Sequence, residues 1–203
     1  KRGPLSRRIE RRMGQLQLRQ VEDYLKRLQS DRGEIEQLFR DLLISVTAFF
    51  REPEAWRCLE REVIAEIVKG KDGSEAIRIW ISGCATGEEA YSLAIAVSEE
   101  LARQDKGAPL QVFATDLDDE AIRRARLGVY PASMSAHVSS ALREKYFTEL
   151  EDGRWRVEKQ LRESIVFASH NVVADPPFSN LDLISCRNLL IYLEEETQQE
   201  LCE

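Results

Sequence analysis

The residues with the clearest chemical meaning are a glycine-bearing turn and a carboxylate about thirty positions later. The turn, residues 82–87, follows the apolar, β-branched run at 77–81 and precedes a helical pattern. Gly83 and Gly87 allow a sharp turn and close approach of the backbone to a ligand, and a helix N-terminus presents free N–H groups there. Asp116 ends a second apolar run, where an acid can accept hydrogen bonds from ribose hydroxyls. Together they indicate a nucleotide or nucleoside cofactor site.

The spacing of the glycines favours one class of cofactor. The pattern is not G-x-G-x-x-G, and Ala85 stands where a further glycine is expected. Since no pyrophosphate cradle is encoded, a ligand with ribose and no phosphate, such as S-adenosylmethionine, is favoured over NAD. The alternatives are an ordinary tight loop and, for Asp116, a helix N-cap.

Metal and thiol chemistry are not indicated. The four cysteines, which have no C-x-x-C spacing, are accompanied by only two histidines, so no zinc site is expected. Free thiols fit a reducing, cytoplasmic setting. Without a neighbouring base in sequence, Cys84 and Cys186 are interpreted as small space-filling residues and not as nucleophiles.

Charge is distributed unevenly along the chain. Residues 1–12 hold six basic residues and one acidic residue, +5, which leaves 23 basic and 35 acidic residues, −12, for 13–203. A basic segment on an acidic body predicts a local contact with an acidic partner, although a plain solvated face is the alternative. The acidic body argues against a nucleic acid as the partner.

Targeting and membrane segments are not recognisable in the sequence. It contains no run of about 18 apolar residues, so no membrane span is predicted, and no signal peptide is recognisable. The chain starts without Met, so an excised domain is expected.

The elements that position these residues fall into two groups. Residues 5–44 have apolar side chains at helical spacing, with Gly14 interrupting the first stripe and Ser30-Asp31 capping the third helix. No strand pattern precedes residue 77, and a helix is expected from about Ala55 to Val68. Helices followed by a βαβ pattern predict an all-α domain at 1–44, a linker and helix at 45–74, and an α/β domain at 75–203.

A hairpin is predicted inside the α/β domain. Tyr146–Leu150 and Arg154–Glu158 flank Asp152-Gly153, a two-residue turn signal. Because a hairpin interrupts the parallel pattern, we expect a small outlying β lobe at about 146–160. Core strands are then expected at 164–168 and 181–185, followed by a helix from Glu194.

Four motifs in this order resemble the CheR family, the chemotaxis-receptor glutamate methyltransferases. They are Thr47–Arg51, Ser82–Ser92, Ala114–Asp118 and Ser185–Leu193. The resemblance covers nearly the whole chain. It implies a Rossmann-like S-adenosylmethionine-dependent methyltransferase domain with an N-terminal all-α domain and a small inserted antiparallel β lobe. It further implies methylation of glutamate side chains in the cytoplasmic helical region of methyl-accepting receptors, with S-adenosylhomocysteine as the second product and no metal.

The resemblance also implies site residues. Cofactor contacts are expected from Ser45, Thr47, Arg51, Glu88 (with Glu89 as the alternative), Asp116, Asn171, Val172, Asn188 and Leu189. Ser45 stands where the family commonly has Asn. Receptor contacts are expected from Arg7, Arg8, Arg11 and Arg12. No general base is assigned. The alternatives without a cofactor contact are a surface ion pair for Arg51 and turn positions for Asn171 and Asn188.

The chain departs from the family near its end. It stops soon after the fourth expected core strand, whereas the family's sheet continues, so a C-terminally incomplete domain is expected. Residues 174–180 resemble hybrid proteins that combine methyltransferase, methylesterase and sensor modules. Two other functions stay open, a methyltransferase with another substrate and a non-catalytic sensor that binds the cofactor.

Overall fold

The structure is a computed structural model that describes residues 4–42 and 47–202. The chain divides into two compact units, Lys1–Val46 and Thr47–Glu203. Ser45, one of the predicted cofactor contacts, lies outside the described residues.

The first unit is helical. Its helices are α1 (Pro4–Gln15), α2 (Val21–Ser30) and α3 (Arg32–Leu42). Gly14 does not interrupt α1, because it lies in the last turn, where the helix is about to end. The predicted cap of α3 is confirmed: Asp31 Oδ1 accepts the backbone N–H groups of Gly33 and Glu34 at 3.0 and 3.3 Å.

The second unit opens with a long helix of mixed type. It consists of α4 (Pro53–Cys58), a π-helical segment (Leu59–Ile64) and α5 (Ala65–Gly70). Trp56, Ile64 and Val68 are buried along it. The predicted helix from Ala55 to Val68 is therefore present, but its centre contains a π segment, which is uncommon and tends to occur near functional sites.

The remaining elements alternate between strands and helices. In chain order they are β1 (Ile77–Ser82), α6 (Glu88–Arg103), β2 (Leu110–Asp116), α7 (Asp119–Leu127), β3 (Val129–Tyr130), a 3₁₀ turn (Ala132–Ala136), α8 (Ser140–Tyr146), β4 (Phe147–Glu149), β5 (Trp155–Val157), α9 (Lys159–Glu163), β6 (Ile165–Ser169), β7 (Leu183–Ser185), a second 3₁₀ turn (Leu190–Tyr192) and α10 (Glu195–Cys202).

Four strands form a parallel sheet in the order β6-β2-β1-β7. In the register of the sheet, Ile79 lies between Val112 and Leu183. Ile77, Ile79 and Ile81 of β1 are almost fully buried, as expected for an alternating face that packs on a core. Since all four strands run in one direction, their carboxyl ends meet at one edge, and the loops there form the usual ligand crevice of such folds.

The predicted β lobe is confirmed, with one strand more than expected. The antiparallel sheet has the order β3-β5-β4. Its hairpin loop has three residues and not two: Gly153 N–H donates to Leu150 O and Leu150 N–H to Arg154 O, with Gly153 at φ +76°. This is a type I turn closed by a left-handed glycine, the usual geometry of three-residue hairpin loops.

Among the helices of the described ranges, none combines the length and apolar character of a membrane span.

Candidate functional site

The glycine turn folds back over the end of β2. The N–H groups of Gly83 and Cys84 both donate to the Thr115 carbonyl, at 2.8 and 2.9 Å. Gly83 has φ +74° and Ala85 has φ +47°, so the turn uses two left-handed residues in three, one of them not glycine. Such strained backbone is held only where its surroundings fix it.

Gly87 is the most constrained residue of this turn. A Cβ there would lie 2.9 Å from Ala125 Cβ, 3.1 Å from Tyr130 Oη and 3.2 Å from Phe167 Cε1, at φ +93°. The Tyr130 hydroxyl in turn donates to the Thr86 carbonyl at 2.7 Å. Tyr130 thereby fixes the turn from the β3 side, a role that no local sequence signal indicated.

Asp116 joins the two predicted halves of the site. Its Oδ2 accepts the Ala85 N–H at 2.8 Å and its Oδ1 accepts the Asp118 N–H at 2.9 Å. The N-cap of α7 is Asp118, whose side chain accepts from Glu120 and Ala121, so the N-cap alternative for Asp116 is wrong. A carboxylate has about four acceptor positions, which leaves Asp116 with acceptor capacity for ribose hydroxyls.

The two acids at the start of α6 have different partners. Glu88 is half-buried and accepts the Thr86 hydroxyl at 2.6 Å; burial raises its pKa, partly offset by that hydrogen bond. Glu89 accepts the Ser185 hydroxyl at 2.6 Å, and its Oε2 lies 3.9 Å from Arg187 Nη1. Glu89 therefore links α6 to the end of β7, while Glu88 stays beside the turn.

The segment 47–52 is tied to the same end of α6. Phe49 is buried, with its ring centroid 4.8 Å from Tyr130 and 5.5 Å from Phe147, as expected for a core residue. The Phe50 N–H donates to Ser92 Oγ at 3.0 Å, and Ser92 donates to the Glu88 carbonyl at 2.7 Å. Thr47 and Arg51 are thus carried on a segment anchored beside the glycine turn.

Arg187, which follows β7, ties the end of this strand to the segment 47–52. Its Nη2 donates to the Arg51 carbonyl at 3.1 Å and to Glu52 Oε2 at 3.0 Å. The guanidinium carbon lies 5.7 Å from the centre of the Trp56 ring. Its place in the motif Ser185–Leu193 is the one sequence signal for such a role, because its partners Glu52 and Arg51 are 135 and 136 residues away in sequence.

The two predicted residue pairs at strand ends have different surroundings. Leu189 packs on the turn, since a Cβ on Gly83 would lie 3.4 Å from its side chain, and Asn188 has φ +57°. Asn171 Oδ1 accepts the Val173 N–H at 3.0 Å, so its side chain stabilises a local turn, as the alternative of a turn position predicts. Val172 is half-buried in that turn.

Thiol chemistry finds no support at the turn. Cys84 is buried, and burial, together with the nearby Asp116 carboxylate, raises the pKa of its thiol. Across residues 4–42 and 47–202, no three His, Cys, Asp or Glu side chains are grouped to hold a metal ion.

A cleft of about 270 Å³ adjoins Arg187. It is lined by Ala55, Trp56, Leu59, Leu183, Ile184, Ser185, Cys186 and Arg187. The Trp56 indole N–H is buried, and no hydrogen-bond acceptor is found for it in the part of the chain that the structure describes.

The four basic residues predicted to contact a receptor divide into two pairs on α1. Arg7 and Arg11 are exposed. Arg12 donates to both oxygens of the buried Glu34, at 3.0 and 2.6 Å, and Arg8 donates to the Asp41 carbonyl. The prediction is thereby narrowed to Arg7 and Arg11, because Arg8 and Arg12 are engaged within the helical unit.

The side chains around the turn fit S-adenosylmethionine. Glu88, Glu89 and Asp116 place three carboxylates near one crevice, and this ligand carries a sulfonium and an ammonium charge. The left-handed glycines allow close backbone approach, and Leu189 supplies an apolar neighbour. These residues would hold the ribose and the cationic end of the cofactor.

Comparison with known proteins gives the family. A profile described as "CheR methyltransferase, SAM binding domain" matches residues 45–203, and one described as "CheR methyltransferase, all-alpha domain" matches residues 1–43. The matched domain confirms the predicted cofactor, S-adenosylmethionine, and the predicted fold class.

Three relatives illustrate the similarity. An uncharacterized 104.1 kDa protein of Rhodobacter capsulatus is 40% identical over 97% of this chain, which covers 21% of that protein. A chemotaxis protein methyltransferase of Borreliella burgdorferi is 30% identical over 88% of this chain and 65% of its own length. Chemotaxis protein methyltransferase 1 of Pseudomonas aeruginosa is 28% identical over 97% of this chain and 73% of its own length.

The chain thus spans about a fifth of the first relative and just under two thirds of the second. The profiles match both of its units, and the glycine turn, Asp116 and the segment 47–52 come together at one sheet edge. This chain belongs to the CheR methyltransferase family.

Proposed function

We propose that this chain transfers the methyl group of S-adenosylmethionine to glutamate side chains in the cytoplasmic helical region of chemotaxis-type receptors. The products are glutamate methyl esters and S-adenosylhomocysteine, and the reaction takes place in the cytoplasm. The observation that carries the proposal is the hydrogen bond from the Ala85 N–H to Asp116, which joins the turn to the ribose acid within a cofactor-binding domain. The names of the two chemotaxis relatives support the class of acceptor.

The chemistry asks the protein mainly for alignment. When bound, the cofactor supplies a methyl group that its sulfonium already activates. A glutamate carboxylate is ionised near neutral pH, so its oxygen forms the new bond as the carbon–sulfur bond breaks, and no proton moves. The residues at the turn must therefore orient the acceptor oxygen, hold the cofactor and exclude water. No side chain is assigned as a general base.

The receptor contact is proposed for the exposed face of α1. Arg7 and Arg11 lie four residues apart, on the same side of the helix, and an acidic methylation helix would complement them. For the β lobe, we propose that the hairpin tethers a receptor tail by strand addition; Phe147–Glu149 lies at one edge of its sheet.

A labelled-methyl assay tests the proposed function. The chain is incubated with labelled methyl donor and a receptor cytoplasmic fragment, and base-labile methyl esters are measured. Asp116→Ala and Arg51→Ala should each lose roughly 1.5–3 kcal/mol of S-adenosylhomocysteine binding in calorimetry, the range for hydrogen bonds to charged groups. Asp119→Ala is the matched control, because Asp119 is an exposed acid close by on α7.

The outcomes separate the remaining candidates. Label on a different acceptor would identify a methyltransferase with another substrate. Tight cofactor binding without any transfer would favour the sensor, and failure to bind S-adenosylhomocysteine, with tight NAD binding, would overturn the cofactor assignment.

A further inference from the structure

Arg187 connects three segments that carry proposed cofactor contacts. It stands between β7 and Asn188-Leu189, and it reaches both the segment 47–52 and Glu89 at the start of α6. Its side chain is 25% exposed, so most of it is enclosed by these neighbours. The proposed function uses residues on all three segments, but it gives Arg187 itself no role.

The segment that Arg187 holds is strained. Phe50 has φ +47° and Glu52 has φ +64°, so left-handed non-glycine residues stand on both sides of Arg51. A left-handed residue that is not glycine is strained, and it persists only where neighbouring contacts hold it. Arg187 donates at this point, to the Arg51 carbonyl and to the Glu52 carboxylate.

The donor geometry suits arginine in particular. One guanidinium nitrogen serves Arg51 O and Glu52 Oε2, while the other faces Glu89 Oε2 at 3.9 Å. A planar fork can address acceptors on two sides at once, whereas the lysine ammonium is a point charge on a flexible stem. The guanidinium also lies over Trp56, 5.7 Å from the ring centre.

We propose that Arg187 is a positioning residue that fixes the backbone at Arg51 and Glu52, and with it the Arg51 side chain, over the cofactor site. The inference rests on the proposed function, because it concerns the same site. In this role the Arg187 side chain acts through the segment 47–52, to which it donates its hydrogen bonds. Its loss should therefore weaken cofactor binding first and leave the acceptor KM, at saturating cofactor, nearly unchanged.

Three variants of the full chain test this role. Arg187→Ala should raise the Kd for S-adenosylhomocysteine roughly tenfold, about the effect of losing one charge-assisted hydrogen bond. Arg187→Lys should recover part of the affinity. Glu52→Ala should have a smaller effect, and the double variant Arg187→Ala with Glu52→Ala should be no weaker than Arg187→Ala alone, because the two residues share one interaction.

A structural measurement accompanies binding. Hydrogen exchange of peptides covering residues 47–58 should become faster in Arg187→Ala, while peptides from β1 and β2 keep their protection. Arg103→Ala is the matched control, since Arg103 forms an exposed ion pair with Glu100 at the far end of α6; neither exchange at 47–58 nor Kd should change.

The outcomes are distinct. A raised acceptor KM with an unchanged Kd for S-adenosylhomocysteine would place Arg187 at the acceptor and overturn the positioning role. Unchanged exchange at 47–58 would overturn it as well, whatever the binding result. If the parent protein fails to bind S-adenosylhomocysteine, the proposed function fails, but the exchange comparison still decides whether Arg187 holds the segment.

Discussion

Helix α1 and the turn after β1 both carry residues assigned to ligands, but different forces hold them. On α1, side-chain charge decides which arginines are available: Arg12 binds the buried Glu34, and the exposed Arg7 and Arg11 remain for a partner. At the turn, the backbone conformation decides the shape. Left-handed residues and N–H donors set it, and Asp116 accepts two backbone hydrogen bonds. A cluster of charged residues in a sequence therefore predicts more binding residues than the folded helix exposes. The backbone shape of a glycine turn, in contrast, can be predicted almost directly from its sequence.

If backbone geometry holds the turn after β1, even one added methyl group there should destabilise the protein strongly. Gly87→Ala adds one methyl group at φ +93°, within 2.9 to 3.2 Å of three neighbours. Strain and overpacking together should lower the free energy of unfolding by roughly 4 kcal/mol, measured by urea denaturation, with cofactor binding lost.

Two other glycines separate strain from packing. Gly153 has φ +76°, and a Cβ added there would meet no atom within 4 Å, while Gly107 has open space without a positive φ. Gly153→Ala should cost roughly 1 kcal/mol, and Gly107→Ala should be nearly neutral. If Gly87→Ala costs no more than Gly153→Ala, packing does not constrain the turn.

The next largest effect is expected at Glu34, the buried carboxylate of the helical unit. Glu34 accepts from Arg12 and from the Tyr24 hydroxyl, the latter at 2.8 Å, so Glu34→Gln should destabilise this unit by roughly 2 kcal/mol. Hydrogen exchange of peptides from α1 to α3 measures the effect. Asp23→Asn, at an exposed acid of α2, is the control and should leave exchange unchanged.

The same carboxylate predicts a dependence on pH. The hydrogen bond from Arg12 lowers the pKa of Glu34 below its ordinary value. Since the folded pKa lies below the unfolded one, about 4.3, the stabilisation is complete above that pH and disappears as pH falls through the folded pKa. The parent should lose protection in acid and approach Glu34→Gln; a difference between the two variants that stays constant as the pH falls through the acid range would contradict this.

The exposed arginines should give the smallest effect. Arg7→Ala with Arg11→Ala should raise the receptor KM by about fivefold at low salt, as expected for exposed charges, and the effect should shrink as salt rises. Cofactor affinity should stay unchanged. Arg123→Ala, at an exposed arginine of α7, serves as control; an equal rise there would return Arg7 and Arg11 to a plain solvated face.

Elements with strong local patterns could be predicted from sequence. β1, β2 and the helix after the glycine turn follow from β-branched runs and helical spacing, and they place Asp116 beside the turn. β3 has two residues and α9 has five, too short for a periodic pattern, and both were missed. The hairpin was found, but its loop length was not, because Asp-Gly also suits a three-residue loop.

Side-chain partners distant in sequence could not be predicted. Arg12 and Glu34 are 22 residues apart, and Arg187 lies 136 residues from Arg51. Nothing local distinguishes Arg12 from Arg11, since only the packing of α1 on α3 decides which of them meets an acid. The roles of Thr47, Arg51, Glu88 and Asn188 toward the cofactor stay predictions.

The π segment between α4 and α5 decides which buried side chains share one face of that helix. A π-helix closes i→i+5 hydrogen bonds, so each of its residues turns the chain by less than the roughly 100° of an α-helix. Trp56, which contacts Phe50 and Arg187 at 5.3 and 5.7 Å, is thereby brought to the same side as the buried Ile64, eight residues later. Exposed Glu60, Arg61 and Glu62 can change identity at little cost, whereas an α-helix of the same length would turn the indole away from its partners.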